Sequence, residues 1–270
     1  METFIGEIWS FGFFRMSMIT AVLTAISCGI MGTYIVTRRI VFISGGLTHA
    51  SFGGIGLGYF LGINPILGAA GFAVLSALGI EYASRRISIR EDSAIAILWS
   101  FGMAIGIIFI FITPGYAPNL MTYLFGSILT VSNTDLWMLT LLVVLILSYF
   151  FLFYRYILYV AFDESYAITR RIPVTFIKYS MMVMLALTIV FNIRVVGIIL
   201  VLSLLTIPQS IATLFTGNFY RMMILSILFG LIGTVSGLIA SYFLDIPSGA
   251  AIIFFLVLMF LVIKVIMKLK

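Results

Sequence analysis

The chain predicts an all-α polytopic membrane protein, and three observations carry that prediction. It is 63% hydrophobic and only 9% charged, whereas a soluble fold of this size carries far more charge on its surface. Apolar runs long enough to cross about 30 Å of hydrocarbon recur along its whole length. Period-2 alternation is absent throughout, which argues against an outer-membrane barrel.

The elements follow in order. Residues 1–15 are aromatic and mixed, without the basic region, short apolar stretch and small-residue cleavage site of a signal peptide. They read as a short interfacial segment. Spans are expected over residues 16–37, 40–61, 66–83, 93–113, 135–154, 175–192, 195–215, 220–243 and 247–263. That makes about eight or nine transmembrane helices. The stretch NLMTYLFGSILTVS at 119–132 is too short to cross and reads as a half-membrane or surface helix on the outer side. No linker, low-complexity block or soluble domain interrupts residues 1–270, so a single membrane domain is expected.

Charge sets the topology. The net charge of +6 does not point to nucleic acid, because the cations fall in short clusters between apolar runs. Arg38 and Arg39, then Arg85, Arg86 and Arg90, then Arg155, Arg170, Arg171 and Lys178, and last Lys264, Lys268 and Lys270 all fall on one side. That side is cytoplasmic by the positive-inside rule, and it holds the C-terminus. The opposite loops carry Pro114, Pro118, Asp135, Arg194 and Asp245. The expected location is the bacterial inner (plasma) membrane.

Several chemistries are missing. Cys28 is the only cysteine, so neither a disulfide framework nor a thiolate cluster can form. No G-x-x-x-x-G-K-[ST] loop is present to cradle a nucleotide. With one histidine an H-E-x-x-H helix is impossible, and there is no G-x-S-x-G elbow. The chain is expected to have no catalytic residues and no cofactor.

That one histidine, His49, lies in VFISGGLTHASFGGIGLGYFLGI at 41–63. An imidazole at bilayer depth is costly, so such residues usually face a protein interior or an aqueous path. The structural alternative is a packed ring bonded to a neighbouring carbonyl. Imidazole suits borderline divalent cations, and a transporter needs an incomplete site that releases its ion. Gly54, Gly58 and Gly62 repeat every four residues and read as a ridge for helix contact. Pro208 and Gln209 interrupt the 195–215 span. Proline frees a carbonyl there, producing either a broken helix lining a cavity or a mere kink, with Gln209 a polar pathway candidate. The fourteen methionines are dispersed and read as packing or lipid-facing residues. Asp245, before Pro247, reads as a helix N-cap.

The longest cytoplasmic connection holds YVAFDESYAITRRIP. Asp163 there is suited to cap a short helix, and Pro173 opens the next element. From spacing alone it is either an ordinary loop or a helix that docks into a partner.

Six stretches now resemble, in order, the membrane permeases of ABC importers for zinc, manganese or iron(II). They are ISGGLTHASFGGIGLGYFLG (43–62), REDSAIAILWSFGMAIGI (90–107), YLFGSILTVSNTDL (123–136), FDESYAITRRIPV (162–174), VVGIILVLSLLTIPQSIATLFT (195–216) and LDIPSGAAII (244–253). The resemblance covers nearly everything after residue 15. It implies a type II-like ABC importer permease: a homodimer in the lipid bilayer, a separate ABC ATPase, and an extracytoplasmic metal-binding protein. It makes the divalent metal the substrate, with His49 as its ligand and Ser44, Gly45, Thr48, Ser51, Pro208 and Gln209 as possible pathway-lining positions. It makes 162–173 a coupling helix, with Phe162, Asp163, Glu164, Ala167, Arg171 and Pro173 on the ATPase side.

Two departures stand out. The family usually has aspartate four residues before the histidine, where this chain has Gly45; Ser44, Thr48 and Ser51 are the nearby weak oxygen donors. Its coupling loop usually has glycine at Arg171 and proline at Glu164. Two rival readings are an ion-gradient-driven secondary transporter, which needs membrane carboxylates, and a non-transporting membrane scaffold, which needs neither His49 nor an ATPase.

Overall fold

The computed structural model describes residues 12–86, 90–114, 126, 128 and 131–269. Most of the expected interfacial segment 1–15 and of the short helix at 119–132 lie outside the described residues. The described helices are α1 Gly12–Thr37, α2 Phe42–Phe60, α3 Pro65–Arg86, α4 Glu91–Ile112, α5 Asn133–Phe162, α6 Glu164–Thr169, α7 Val174–Val196, α8 Ile198–Leu204, α9 Ile207–Phe215, α10 Phe219–Leu244 and α11 Ser248–Lys268.

Among the described residues, 8 helical stretches are long and apolar enough to cross a membrane, α8 and α9 counting together as Ile198–Phe215. Helix α2 is not among them, because its glycines, hydroxyls and His49 lower its hydropathy. It is nonetheless 19 residues long, about 28 Å at 1.5 Å per residue. The end of α1 and the end of α3 also meet in one ion-pair cluster around Lys178, through Arg38 and Glu81. Helices α2 and α3 therefore go out and return, so that α2 adds a further span to these eight among the described residues.

The spans are clothed as lipid-facing helices must be. Only 17% of the apolar window of α11 and 22% of that of α4 is buried, and Phe111 is 89% exposed. Apolar surface on that scale fits hydrocarbon as its solvent.

Helix α5 runs 30 residues, past the expected end at 154, so Arg155 is helical. No Gly or Pro lies between Asn133 and Phe162 to stop it. Its start is a reciprocal capping box: the Asp135 N–H donates to Ser132 Oγ at 3.3 Å, and the Ser132 N–H donates to Asp135 Oδ2 at 3.1 Å.

The chain divides into two compact units, each built from separate segments. The first comprises the described residues of Met1–Thr33, Met121–Leu145 and Asn192–Lys270, and the second those of Tyr34–Leu120 and Ile146–Phe191.

In the second unit α2 is sandwiched between α3 and α4 by its glycines. A Cβ at Gly54 would fall 2.6 Å from Ala69 Cα, and one at Gly58 2.8 Å from Pro65 Cα, both on α3. On the α4 side, a Cβ at Gly102 would meet Ala50 Cα at 2.6 Å and one at Gly106 the Phe52 carbonyl oxygen at 2.5 Å. These are backbone-to-backbone approaches that a larger residue would force apart. Gly62 differs from the ridge expected of it. It has nothing within 4 Å and a φ of +68°, and it ends α2 in the left-handed conformation.

In the first unit the 195–215 span is broken, not merely kinked. Helix α8 stops at Leu204, Thr206 is non-helical, and Pro208 falls in the first turn of α9, where its missing N–H is harmless. Pro208 cannot serve the Leu204 carbonyl. Gln209 Nε2 does so at 3.0 Å, while also donating to the Cys28 carbonyl at 2.9 Å. Gly32 makes room: a Cβ there would lie 2.6 Å from Gln209 Cδ. Asp245 is no N-cap. It ends α10 with φ +52°, and Pro247 precedes α11 without a side-chain cap. The cause is that α10 runs on to Leu244, leaving Asp245 as the residue that must turn the chain.

Candidate functional site

Two places deserve description, both in the second unit. The first surrounds His49 on α2. The ring is half-buried, with Nδ1 enclosed and without a hydrogen-bond partner. It stacks flat on Trp99 of α4, with centroids 4.4 Å apart and planes 2° apart. The packed alternative of a ring donating from Nδ1 to a neighbouring carbonyl is therefore not what the structure has.

The hydroxyl protons of the nearby residues are committed to the backbone. Ser44 Oγ donates to the Val41 carbonyl at 2.7 Å and Ser51 Oγ to the Thr48 carbonyl at 2.6 Å. Thr48 Oγ1 donates to the Ser44 carbonyl. All three are buried, and all three donate to their own helix, the usual habit of hydroxyls on membrane helices. Gly45 stands one turn before His49 and is half-exposed. Among the described residues no three His, Cys, Asp or Glu come together as a metal cage. The described donors around this position come to one imidazole and three hydroxyls.

Pro208 and Gln209 lie elsewhere, in the first unit, both buried. The Gln209 amide nitrogen serves the broken helix, and its Oε1 is enclosed without a partner.

The second place is the short helix α6. Asp163 caps it, accepting from the Tyr166 N–H at 2.9 Å, as its position implies. Glu164 occupies the first helical position, which favours either proline or an acid. Its carboxylate also reaches inward, to Lys178 at 3.3 Å and Arg38 at 3.6 Å. Lys178 in turn lies 3.0 Å from Glu81, with side-chain exposures of only 12% and 5%. Arg38 Nη1 also donates to the Val160 carbonyl at 2.8 Å. One cluster of two cations and two carboxylates thus ties α6 to α1, α3 and α7.

Ala167 is fully buried, whereas Phe162 and Ile168 are each 60% exposed. With exposed Tyr166, Arg170 and Arg171, they give α6 an outward face of apolar and cationic character. Of the expected contact residues, Ala167 faces inward and Glu164 is partly engaged within the fold.

The end of α6 explains a departure. Arg171 has φ +57°, its N–H donates to the Ile168 carbonyl at 2.9 Å, and the Ile172 N–H to the Ala167 carbonyl at 3.1 Å. This is the Schellman arrangement that glycine usually closes. Arg171→Gly should raise stability by about 1 kcal/mol, the cost of a left-handed non-glycine residue. Thermal unfolding in detergent would read it, and a lower midpoint would show that the arginine side chain contributes more than its backbone costs.

Sequence reasoning missed Trp99, Lys178, Glu81 and Arg38 as partners. Glu81 carried a usable signal, as an ionisable residue inside the expected span 66–83. Trp99 carried none, since the pairing of its ring with His49 is a tertiary fact.

Comparison with known proteins gives a consistent result. The model of the ABC 3 transport family matches residues 10–267. An uncharacterized membrane protein of Synechocystis, slr2045, is 40% identical over 89% of this chain and 86% of its own length. The manganese transport system membrane protein MntC of Listeria innocua is 34% identical over 95% of this chain and 94% of its own. Among solved structures, PsaBC from Streptococcus pneumoniae in complex with Fab matches with a TM-score of 0.86 and 32% identity, over 97% of this chain and 94% of that one.

Proposed function

This chain belongs to the ABC 3 transport family, and from that premise we propose that it is the permease subunit of an ATP-driven importer of a divalent transition metal. Manganese is the first candidate, since manganese transport is named for relatives 34% identical over nearly the whole chain. The observation that carries the reading is the end-to-end match: the similarity takes in the broken helix, α6 and the His49 helix together, not one motif.

The geometry supports the following division of labour. His49 offers the passing metal one nitrogen on a helix fixed by glycine contacts to α3 and α4. Two copies of the chain pair around the pathway, each contributing one imidazole. A separate ABC ATPase seats against the outward face of α6, with Phe162, Tyr166 and Ile168 as apolar anchors and Arg170 and Arg171 as charged ones. An extracytoplasmic metal-binding protein delivers the ion on the opposite face. Closure of the ATPase pair moves α6, and the ion-pair cluster carries that displacement to the ends of α1, α3 and α7.

The test is cellular metal content in a manganese-starved bacterial host expressing this chain together with its partner ABC ATPase. Manganese should accumulate, and excess zinc or iron(II) in the medium reports which ion competes. Equal manganese content with and without the chain would refute the reading.

A further inference from the structure

We propose that Trp99 is a positioning residue for His49, holding the imidazole by its face where a metal-bound histidine is ordinarily held by a hydrogen bond. The inference rests on the reading of His49 as the metal ligand and deepens it. A ligating histidine almost always donates its second ring N–H to a carboxylate, a carbonyl or water, which fixes the tautomer and aims the other nitrogen. No carboxylate or carbonyl of the protein takes that role at His49 Nδ1. The family's nearby aspartate is Gly45 here, and Ser44, Thr48 and Ser51 donate their hydroxyl protons to their own helix.

What does restrain the ring is the indole. Centroids 4.4 Å apart and planes within 2° leave no room for the imidazole to rotate about its own axis without driving an edge into Trp99. The indole is itself steadied by Phe42, at a centroid distance of 6.0 Å, and rides on α4, whose Gly102 and Gly106 lock it to α2. The two nitrogens are thereby confined to the ring plane.

The stack also acts on charge. The face of an indole is the negative end of its quadrupole. An imidazole that has given its lone pair to a divalent cation becomes electron-poor, and so stacks more strongly than the free ring. The contact therefore favours the loaded state, without adding a ligand that would slow release. A site held in this way is weak and fast, as suits a step in a pathway.

The test uses the assembled permease–ATPase complex with Trp9→Phe and Trp137→Phe, so that Trp99 is the one indole this chain contributes, and the emission of the same complex with Trp99→Phe added is subtracted. Cobalt(II), a quenching divalent ion, should lower its emission saturably, and His49→Ala should remove the saturable part. In uptake assays Trp99→Ala should raise the half-saturating metal concentration by about tenfold or more, the usual cost of losing an outer partner of a metal ligand. Trp99→Phe, which keeps an aromatic face, should recover most of the loss. If Trp99→Ala assembles and takes up metal with the unaltered concentration dependence, Trp99 is packing only and the proposal fails. Should Trp99→Ala not assemble, a Trp99→Phe complex with affinity no better than Trp99→Leu would overturn it equally. Saturable quenching that survives His49→Ala would instead sink the assignment of His49 itself.

Discussion

Replacing His49 with alanine is expected to abolish metal uptake while the permease still assembles with its ATPase. The separation follows from the geometry. Nδ1 has no hydrogen bond to lose, so the fold forfeits the stacking against Trp99, on the order of 0.5–1.5 kcal/mol for an aromatic pair beyond the area the half-buried ring covers. The pathway forfeits its one imidazole, which should cost more than the ten- to hundredfold typical of an outer-shell partner. The reverse substitution is as informative. Gly45→Asp places a carboxylate one turn before the ring, on the same helical face, about 6 Å along the axis. It should tighten metal retention and slow turnover, because release must follow entry. Metal content after gel filtration and uptake rate, measured on both variants, check the pair. Normal transport by His49→Ala would make the histidine structural.

The second large effect is expected at Lys178. Its ammonium lies 3.0 Å from Glu81 and 3.3 Å from Glu164, at a site where Lys178 and Glu81 are 12% and 5% exposed. Lys178→Met leaves two carboxylates facing one guanidinium, and breaking a buried pair in this way costs about 3–5 kcal/mol. By contrast, Arg90 and Asp92 are 3.5 Å apart with side chains 84% and 71% exposed, and removing either should change stability little. Lys178→Met should release α6 from α3, seen as faster amide exchange over Glu164–Thr169 and loss of substrate-stimulated ATP hydrolysis. Adding Glu81→Gln removes one uncompensated charge and should recover part of the stability. Unchanged exchange in α6 would show that the short helix is held by Ala167 and its neighbours alone.

Much of this architecture is written in hydropathy and charge, and some of it is not. The long apolar helices follow from composition, and the Asp163 cap and the proline break from local chemistry that acts within a few residues. Helix α2 is harder to read, because its glycines make it poor in hydropathy while fitting it to pack between α3 and α4. Gly62 looked like one more step of the ridge, since a repeat of four does not reveal where a helix ends. Asp245 looked like a cap for the following helix, because the sequence does not show that the residue after α10 takes the left-handed conformation while α11 starts only after Pro247. The stretch around His49 named the candidate ligand, whereas Trp99 lies fifty residues on and meets it only through the glycine contacts of α2 with α4. Arg171 was legible only as a departure from glycine, and its left-handed backbone supplies the reason the family favours glycine there.

On the proposed function, this chain moves a divalent metal through itself at the expense of ATP hydrolysed by a partner. The most direct measurement is manganese accumulation in vesicles reconstituted with the permease and its ATPase, the metal-binding protein supplied on the face opposite α6 and ATP on the face of α6. Accumulation should require ATP, persist when ionophores collapse every ion gradient, and vanish with His49→Ala. Uptake that continues without ATP and disappears with the gradients would contradict the account and identify a secondary transporter instead.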